Sequence, residues 1–120
     1  MNETLRKKYI PMTETTYYTL LAVKTPRHGY AIMQYVNALT EGRITLGTGT
    51  LYTMVGRLTA DGVIEVIPAD GKKAYRLTSA GMELLIEETA RLADQLADGR
   101  KILAGGVSMV QDKEYVDETE

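Results

Sequence analysis

Residues 46–77 read LGTGTLYTMVGRLTADGVIEVIPADGKKAYRL, and the spacing of their apolar side chains changes part-way along. Leu51, Met54, Val55 and Leu58 recur at i, i+3, i+4 and i+7, which puts them on one buried face of a helix over residues 49–60. The opposite face is small and polar: Thr50, Thr53, Gly56, Arg57 and Ala60. Asp61-Gly62 ends this helix. From Val63 to Pro68 the β-branched content predicts a strand, and Asp70-Gly71 is a strong hairpin signal. The returning residues 73–77, KAYRL, alternate basic and apolar, so they form the second strand with Lys72 and Lys73 at the tip.

Working outward, Thr78 can cap a long helix from Ser79 to about Leu103. Met82, Leu85, Thr89, Leu92 and Leu96 follow one another at intervals of three, four, three and four, an a/d seam that Leu103 extends. Leu84, Ile86 and Ala93 widen the apolar surface beyond what a small neighbouring domain can cover. A second copy of the chain is the expected partner.

Upstream, Thr16, Tyr17, Leu20, Leu21 and Val23 predict a helix over residues 13–24. Thr25-Pro26 has the form of a cap followed by a first-turn proline, and a second helix should run from near His28 to about Thr40, burying Ile32, Tyr35, Val36 and Leu39. Gly42 is its stop. The short apolar segment Ile44–Leu46 could lie as a strand along the hairpin. The order helix, helix, helix, hairpin, long helix is that of a winged helix-turn-helix: a mainly α fold with a small β-hairpin wing. It divides into an N-terminal extension (1–11), the winged domain (12–78), a C-terminal dimerisation helix (79–105) and a flexible acidic tail (106–120).

Composition narrows the functional classes. A chain of 120 residues suits one domain, which oligomerisation would help to complete. No apolar run is long enough to span a bilayer and no secretory leader precedes the domain, so the sequence predicts a cytoplasmic protein with no membrane partner. The absence of cysteine rules out disulfides, thiolate nucleophiles and sulfur-ligated metals. The net charge of −2 conceals an asymmetry: without residues 112–120 the chain carries 13 basic and 11 acidic side chains. A polyanion senses the local cluster rather than the sum.

A helix that reads DNA needs a slim polar face to enter the major groove and an apolar face to hold it to its domain. Residues 49–60 offer both. Thr50 and Thr53 can donate to phosphates or base edges, Arg57 can reach guanine or the backbone, and Gly49 beside Thr48 lets backbone N–H groups approach a phosphate at the helix N-terminus. Taken alone, the glycines could equally be turn residues and the threonines caps. Lys72, Lys73 and Arg76 on the hairpin add backbone contacts that give affinity without sequence selection. Tyr52 and Tyr75 can each either bind a phosphate or fill the space between elements.

Catalysis has little support. Gly47-Thr48-Gly49-Thr50 lacks the P-loop pattern, no βαβ unit surrounds the glycines, and Glu87 and Glu88 are helix neighbours that point apart. His28 is the only histidine, better suited to a structural hydrogen bond than to a metal. Met33, Met54 and Met82 fall on apolar helical faces as fillers, and Met109 needs no ligand role either. No catalytic residue, cofactor or metal site is expected.

Three segments resemble the PadR family of bacterial transcriptional regulators. Pro26-Arg27-His28-Gly29-Tyr30 resembles its Pro-x-His-Gly-Tyr, Gly49-Thr50-Leu51-Tyr52 its Gly-Thr-Leu-Tyr, and Tyr75-Arg76-Leu77-Thr78-Ser79-Ala80-Gly81 its Tyr-Arg-Leu-Thr-x-x-Gly. The resemblance implies a homodimeric repressor on a pseudo-palindromic site in double-stranded DNA, associated with the bacterial nucleoid when bound. It also leaves room for release by a small hydrophobic or aromatic effector but carries over no effector-binding residue; with tryptophan and phenylalanine absent, Tyr9, Tyr17 and Tyr18 are candidates for an aromatic platform only if the N-terminal segment folds against the dimer helix. Relatives commonly have Ser-Pro before Gly-Thr-Leu-Tyr and a proline after it, where this chain has Gly47, Thr48 and Thr53. The contrasting expectation is a winged-helix protein-interaction module, favoured by the acidic tail and the near-neutral total charge.

Overall fold

The computed structural model describes residues 2–105. In chain order the elements are α1 (Glu3–Tyr9), α2 (Glu14–Ala22), β1 (Arg27–His28), α3 (Gly29–Leu39), α4 (Thr48–Ala60), β2 (Ile64–Ala69), β3 (Lys72–Leu77) and α5 (Ser79–Leu103). Five helices and a three-stranded antiparallel sheet of order β1-β3-β2 make this a winged helix fold. The chain divides into two compact units, residues 1–88 and 89–120. The acidic tail expected over 106–120, with Met109, lies outside the described residues.

In the first unit the apolar stripe of α4 is the middle of the core. Leu51 and Leu58 are wholly buried, with Met54 and Val55 nearly so, alongside Leu20, Val23, Ile32, Val36, Val63, Ile64 and Leu84. Burying each such side chain contributes about 1.5–3 kcal/mol. Tertiary packing therefore holds α4 in place although Gly47, its N-cap residue, makes no side-chain cap bond.

The wing follows from its turn. Asp70 and Gly71 have φ of 54° and 74°, the left-handed pair a type I′ hairpin requires. That turn fixes the register from Ala69↔Lys72 down to Ile64↔Leu77.

Three expectations are corrected. The third strand is Arg27–His28, paired Arg27↔Tyr75 and His28↔Ala74, whereas Ile44–Leu46 forms no strand. Thr40 explains the latter: its hydroxyl accepts from the Ile44 N–H at 3.1 Å and donates to Val36 O, so a side chain rather than a ladder satisfies that segment. Pro26 does not open α3, because the extended residue His28 is its N-cap and the two residues after the proline belong to β1. Leu39 is about half exposed rather than buried.

The N-terminal residues carry a helix that periodicity did not reveal. Asn2 caps α1 by accepting from Thr4 and Leu5 N–H, and Leu5 and Tyr9 join the core. Arg6 donates to both carboxylate oxygens of Glu87, at 2.9 Å through Nε and 2.7 Å through Nη2. Thr78 caps α5 as anticipated, accepting from Gly81 N–H at 3.1 Å. Gly81, Leu84, Leu85 and Glu88 are buried within this unit.

In the second unit, α5 continues to Leu103. Thr89, Leu96 and Leu103 are exposed, Leu92 is half-buried, and Arg91 donates to Gln95 Oε1 at 3.1 Å.

Candidate nucleic-acid interface

One side of α4 is committed to the core and the other is open. Thr48, Gly49, Thr50, Tyr52, Thr53 and Arg57 are all exposed, as are Lys72, Lys73 and Arg76 on the wing. A Cβ added at Gly47, Gly49 or Gly56 would meet nothing within 4 Å, and none of these residues has a positive φ. The fold itself does not need glycine there. Glycine inside a helix costs about 0.5–1 kcal/mol relative to alanine, so Gly56 leaves α4 less stable than it could be while keeping its outer face slim.

Open clefts flank α4. One of about 490 Å3 is lined by Thr13, Thr15, Gly49, Thr50, Thr53, Met54 and Arg57, and so joins the start of α2 to the outer face of α4. Another of about 450 Å3 is lined by His28, Gly29, Tyr30, Tyr52, Lys72, Lys73 and Tyr75. The wing lysines and Tyr52 of α4 thus share one concave surface, while Gly49, Thr50, Thr53 and Arg57 line the other cleft.

The side chains of this second cleft are positioned by the β1–α3 junction. His28 Nδ1–H donates to the Lys73 carbonyl at 2.9 Å, so the structural bond expected of this histidine reaches across to the wing. Gly29, the first residue of α3, leaves the space that the Tyr52 hydroxyl occupies. Tyr52 remains 48% exposed, with the hydroxyl end of its ring set against Gly29 of α3. Tyr75 is different: at 7% exposure it is a core residue, and burial raises its phenol pKa above the usual value. Arg76 faces Glu65 across the ladder and donates to it through Nε at 2.6 Å, an exposed pair.

At the other end of α4, Tyr9 Oη donates to Asp61 Oδ2 at 2.6 Å and Lys8 Nζ lies 2.7 Å from the same oxygen. The Arg57 guanidinium carbon sits 5.8 Å from the Tyr9 ring centroid. The Tyr9 phenol is pushed up to about 12, first by burial and then by its bond to Asp61. The Asp61 carboxyl is held below its ordinary value, first by Lys8 and then by Tyr9.

Thr13, Thr15 and Tyr30 line these clefts although no periodicity or local signal singled them out, and the same holds for helix α1. Tyr30 stood inside a quoted motif, and its 67% exposure marks it as a surface residue. Of the dimer seam, Leu85 is 5% exposed and held in the core of its own chain, while Met82 is half-buried. Ile86, at 62% exposure, is the more accessible apolar side chain on that part of α5. Among the described residues no cluster of three or more His, Asp or Glu could hold a metal, and no helix is long and apolar enough to cross a membrane.

The model of the transcriptional regulator PadR-like family matches residues 18–87, more than half of the chain. The chain belongs to the PadR-like family. It is similar to a PadR-like transcription factor from Bacteroides fragilis, with 27% identity over 83% of this chain and 95% of that one at a TM-score of 0.57. A Streptococcus mutans protein shares the fold at a TM-score of 0.63, with 23% identity over 78% of this chain and 91% of that one. A transcriptional regulator from Clostridium thermocellum does so at 0.56, with 19% identity over 79% of this chain and 93% of that one. No curated protein matches the chain in sequence. As a PadR-like protein the chain is a transcriptional regulator, and the PadR motifs have structural reasons here. The Pro-x-His-Gly-Tyr residues build the β1–α3 junction, and the Tyr-Arg-Leu-Thr-x-x-Gly residues carry the wing into α5.

Proposed function

We propose that this PadR-like regulator represses transcription by binding a pseudo-palindromic operator in double-stranded DNA as a homodimer. The observation that carries the reading is the cleft shared by Tyr52 of α4 and Lys72 and Lys73 of the wing, beside an α4 face whose Thr50, Thr53 and Arg57 are all exposed. A duplex seated there meets a groove-sized polar helix and backbone-directed cations together. Thr48, Thr50, Thr53 and Arg57 read or position the major groove. Tyr30, Tyr52, Lys72 and Lys73 hold the adjacent backbone, and Thr13 and Thr15 extend the contact on the far side of α4.

The second copy docks along α5, through Met82, Thr89, Leu92, Leu96 and Leu103 with Ile86. Half-sites are then about 34 Å apart, one turn of DNA. A small hydrophobic effector releases the operator only by favouring a dimer geometry that spreads or narrows this spacing, because equal affinity for both geometries shifts nothing.

The test is selection of bound fragments from genomic DNA by the purified full chain, followed by affinity measurement and sedimentation. The expected result is a preferred two-fold sequence bound by a dimer, with the preference lost in a Thr50→Ala, Thr53→Ala, Arg57→Ala variant. Retention of no fragment above random DNA, with specific capture of a protein, would favour the interaction-module reading instead.

A further inference from the structure

We infer that Lys8 and Tyr9 on helix α1 are positioning residues that occupy Asp61 and so keep the Arg57 guanidinium free for DNA, an inference that rests on the operator-binding role proposed for α4. Arg57 and Asp61 are four residues apart at the end of one helix, the spacing at which opposite charges on a helix surface meet. Left to themselves they would pair. Instead Asp61 Oδ2 receives the Tyr9 hydroxyl at 2.6 Å and Lys8 Nζ at 2.7 Å, and among the described residues no carboxylate forms an ion pair with Arg57.

Three further observations fit this division of partners. Tyr9 is only 5% exposed, so its hydroxyl is delivered to Asp61 by a ring fixed in the core rather than by a mobile surface chain. The Asp61 carboxyl is held below its usual range chiefly by Lys8 and Tyr9, with Arg57 the least of the causes. The Arg57 guanidinium carbon lies 5.8 Å from the Tyr9 ring centroid, and Arg57 pulls the Tyr9 phenol down against the effect of burial, so its near partner is a neutral phenol that narrows its rotamers without neutralising its charge. From there it lines the same cleft as Thr50 and Thr53. An arginine already paired with a neighbouring carboxylate must give up that partner before it can bind phosphate or guanine, which weakens binding and blunts selectivity.

The arrangement also ties α1 to both ends of the proposed machinery. Arg6, on the same helix, grips Glu87 of α5 through both carboxylate oxygens. Helix α1 is therefore anchored independently of Asp61, and removing the Lys8 and Tyr9 bonds should leave it in place.

The experiment compares the full chain with a Lys8→Gln, Tyr9→Phe double variant, the same variant with Asp61→Asn added, and each in an Arg57→Ala background. The Phe ring keeps the core filled, and Asn serves the end of α4 without a charge to capture Arg57. On a duplex selected by the wild type, the double variant should bind about twofold to fivefold more weakly, the most that competition from one exposed ion pair allows, and Asp61→Asn should restore binding. In the Arg57→Ala background the double substitution should have no further effect. In the free protein, the Arg57 Nε–H resonance should shift in the double variant and return in the triple one. A triple variant as weak as the double, or an equal loss without Arg57, overturns the inference while leaving the operator role standing. A wild type that prefers no duplex overturns the operator role and the inference with it.

Discussion

A Cβ placed on Gly29 would run into the ring and hydroxyl of Tyr52. The obstructing atoms are the far end of a half-exposed side chain, so the ring can swing away at little cost in stability. Gly29→Ala should therefore leave the melting temperature nearly unchanged, because alanine also improves helix propensity by up to about 1 kcal/mol. DNA affinity should fall, since Tyr52 leaves the wing cleft. Adding Gly29→Ala to Tyr52→Ala should cost nothing more. A further loss in that double variant would mean that Gly29 acts by some route other than Tyr52.

Gly81 makes the opposite case. Its Cβ would strike the carbonyl of Val63, which is backbone and cannot rotate aside. Val63 O already accepts from Thr78 N–H at 3.1 Å and from the Thr78 hydroxyl at 3.0 Å, so the junction between β3 and α5 would have to open. Gly81→Ala should destabilise the fold by about 2 kcal/mol or more, at the upper end of overpacking costs. Urea unfolding measures this directly, and a wild-type midpoint would refute the close approach.

These two glycines show what was legible in the sequence. The α4 stripe, the Asp70-Gly71 turn and the Thr78 cap are local patterns, and each produced the expected element. The third strand was not legible, because two residues of β1 have no period of their own and become a strand only by pairing with the distant β3. Helix α1 was missed for a related reason: seven residues, with Leu5 and Tyr9 as the only buried side chains, are held by tertiary packing rather than by a long stripe. The open face of α4 could be read from periodicity, but the engagement of Arg76 by Glu65 and of Asp61 by α1 needed three dimensions.

The bonds made by α1 predict opposite behaviour at the two ends of the pH scale. Asp61 and Glu87 titrate below the ordinary carboxylate range, mainly through Lys8 and Arg6 respectively, so their contribution is complete above about pH 4 and is lost as pH falls through the lowered values. Tyr9 is raised to about 12, so its contribution is complete below the ordinary tyrosine value and is lost as pH rises towards 12. Urea midpoints of Asp61→Asn and Glu87→Gln variants should change less than those of the wild type between pH 5 and roughly pH 2. Ultraviolet titration should show late tyrosinate formation by both Tyr9 and Tyr75, of which Tyr9→Phe removes the step near 12. Persistence of that step in the variant would assign it elsewhere.

The wing should dominate the salt dependence of DNA binding, and its three cations should not contribute equally. Lys72 and Lys73 are exposed, and no carboxylate among the described residues pairs with either, whereas Arg76 is bonded to Glu65. Each phosphate deprived of its cation lowers the slope of log K against log salt by about 0.9, so Lys72→Ala with Lys73→Ala should reduce it by up to about 2 on operator and random duplex alike. Arg76→Ala should do less, since an exposed ion pair is worth at most about 1 kcal/mol yet still competes with phosphate for the guanidinium. Glu65→Ala is the decisive companion: by releasing Arg76 it should tighten binding and steepen the slope. If Glu65→Ala has no effect while Arg76→Ala matches a lysine variant, the pair must already open on DNA, and Arg76 ranks with the lysines in holding the backbone.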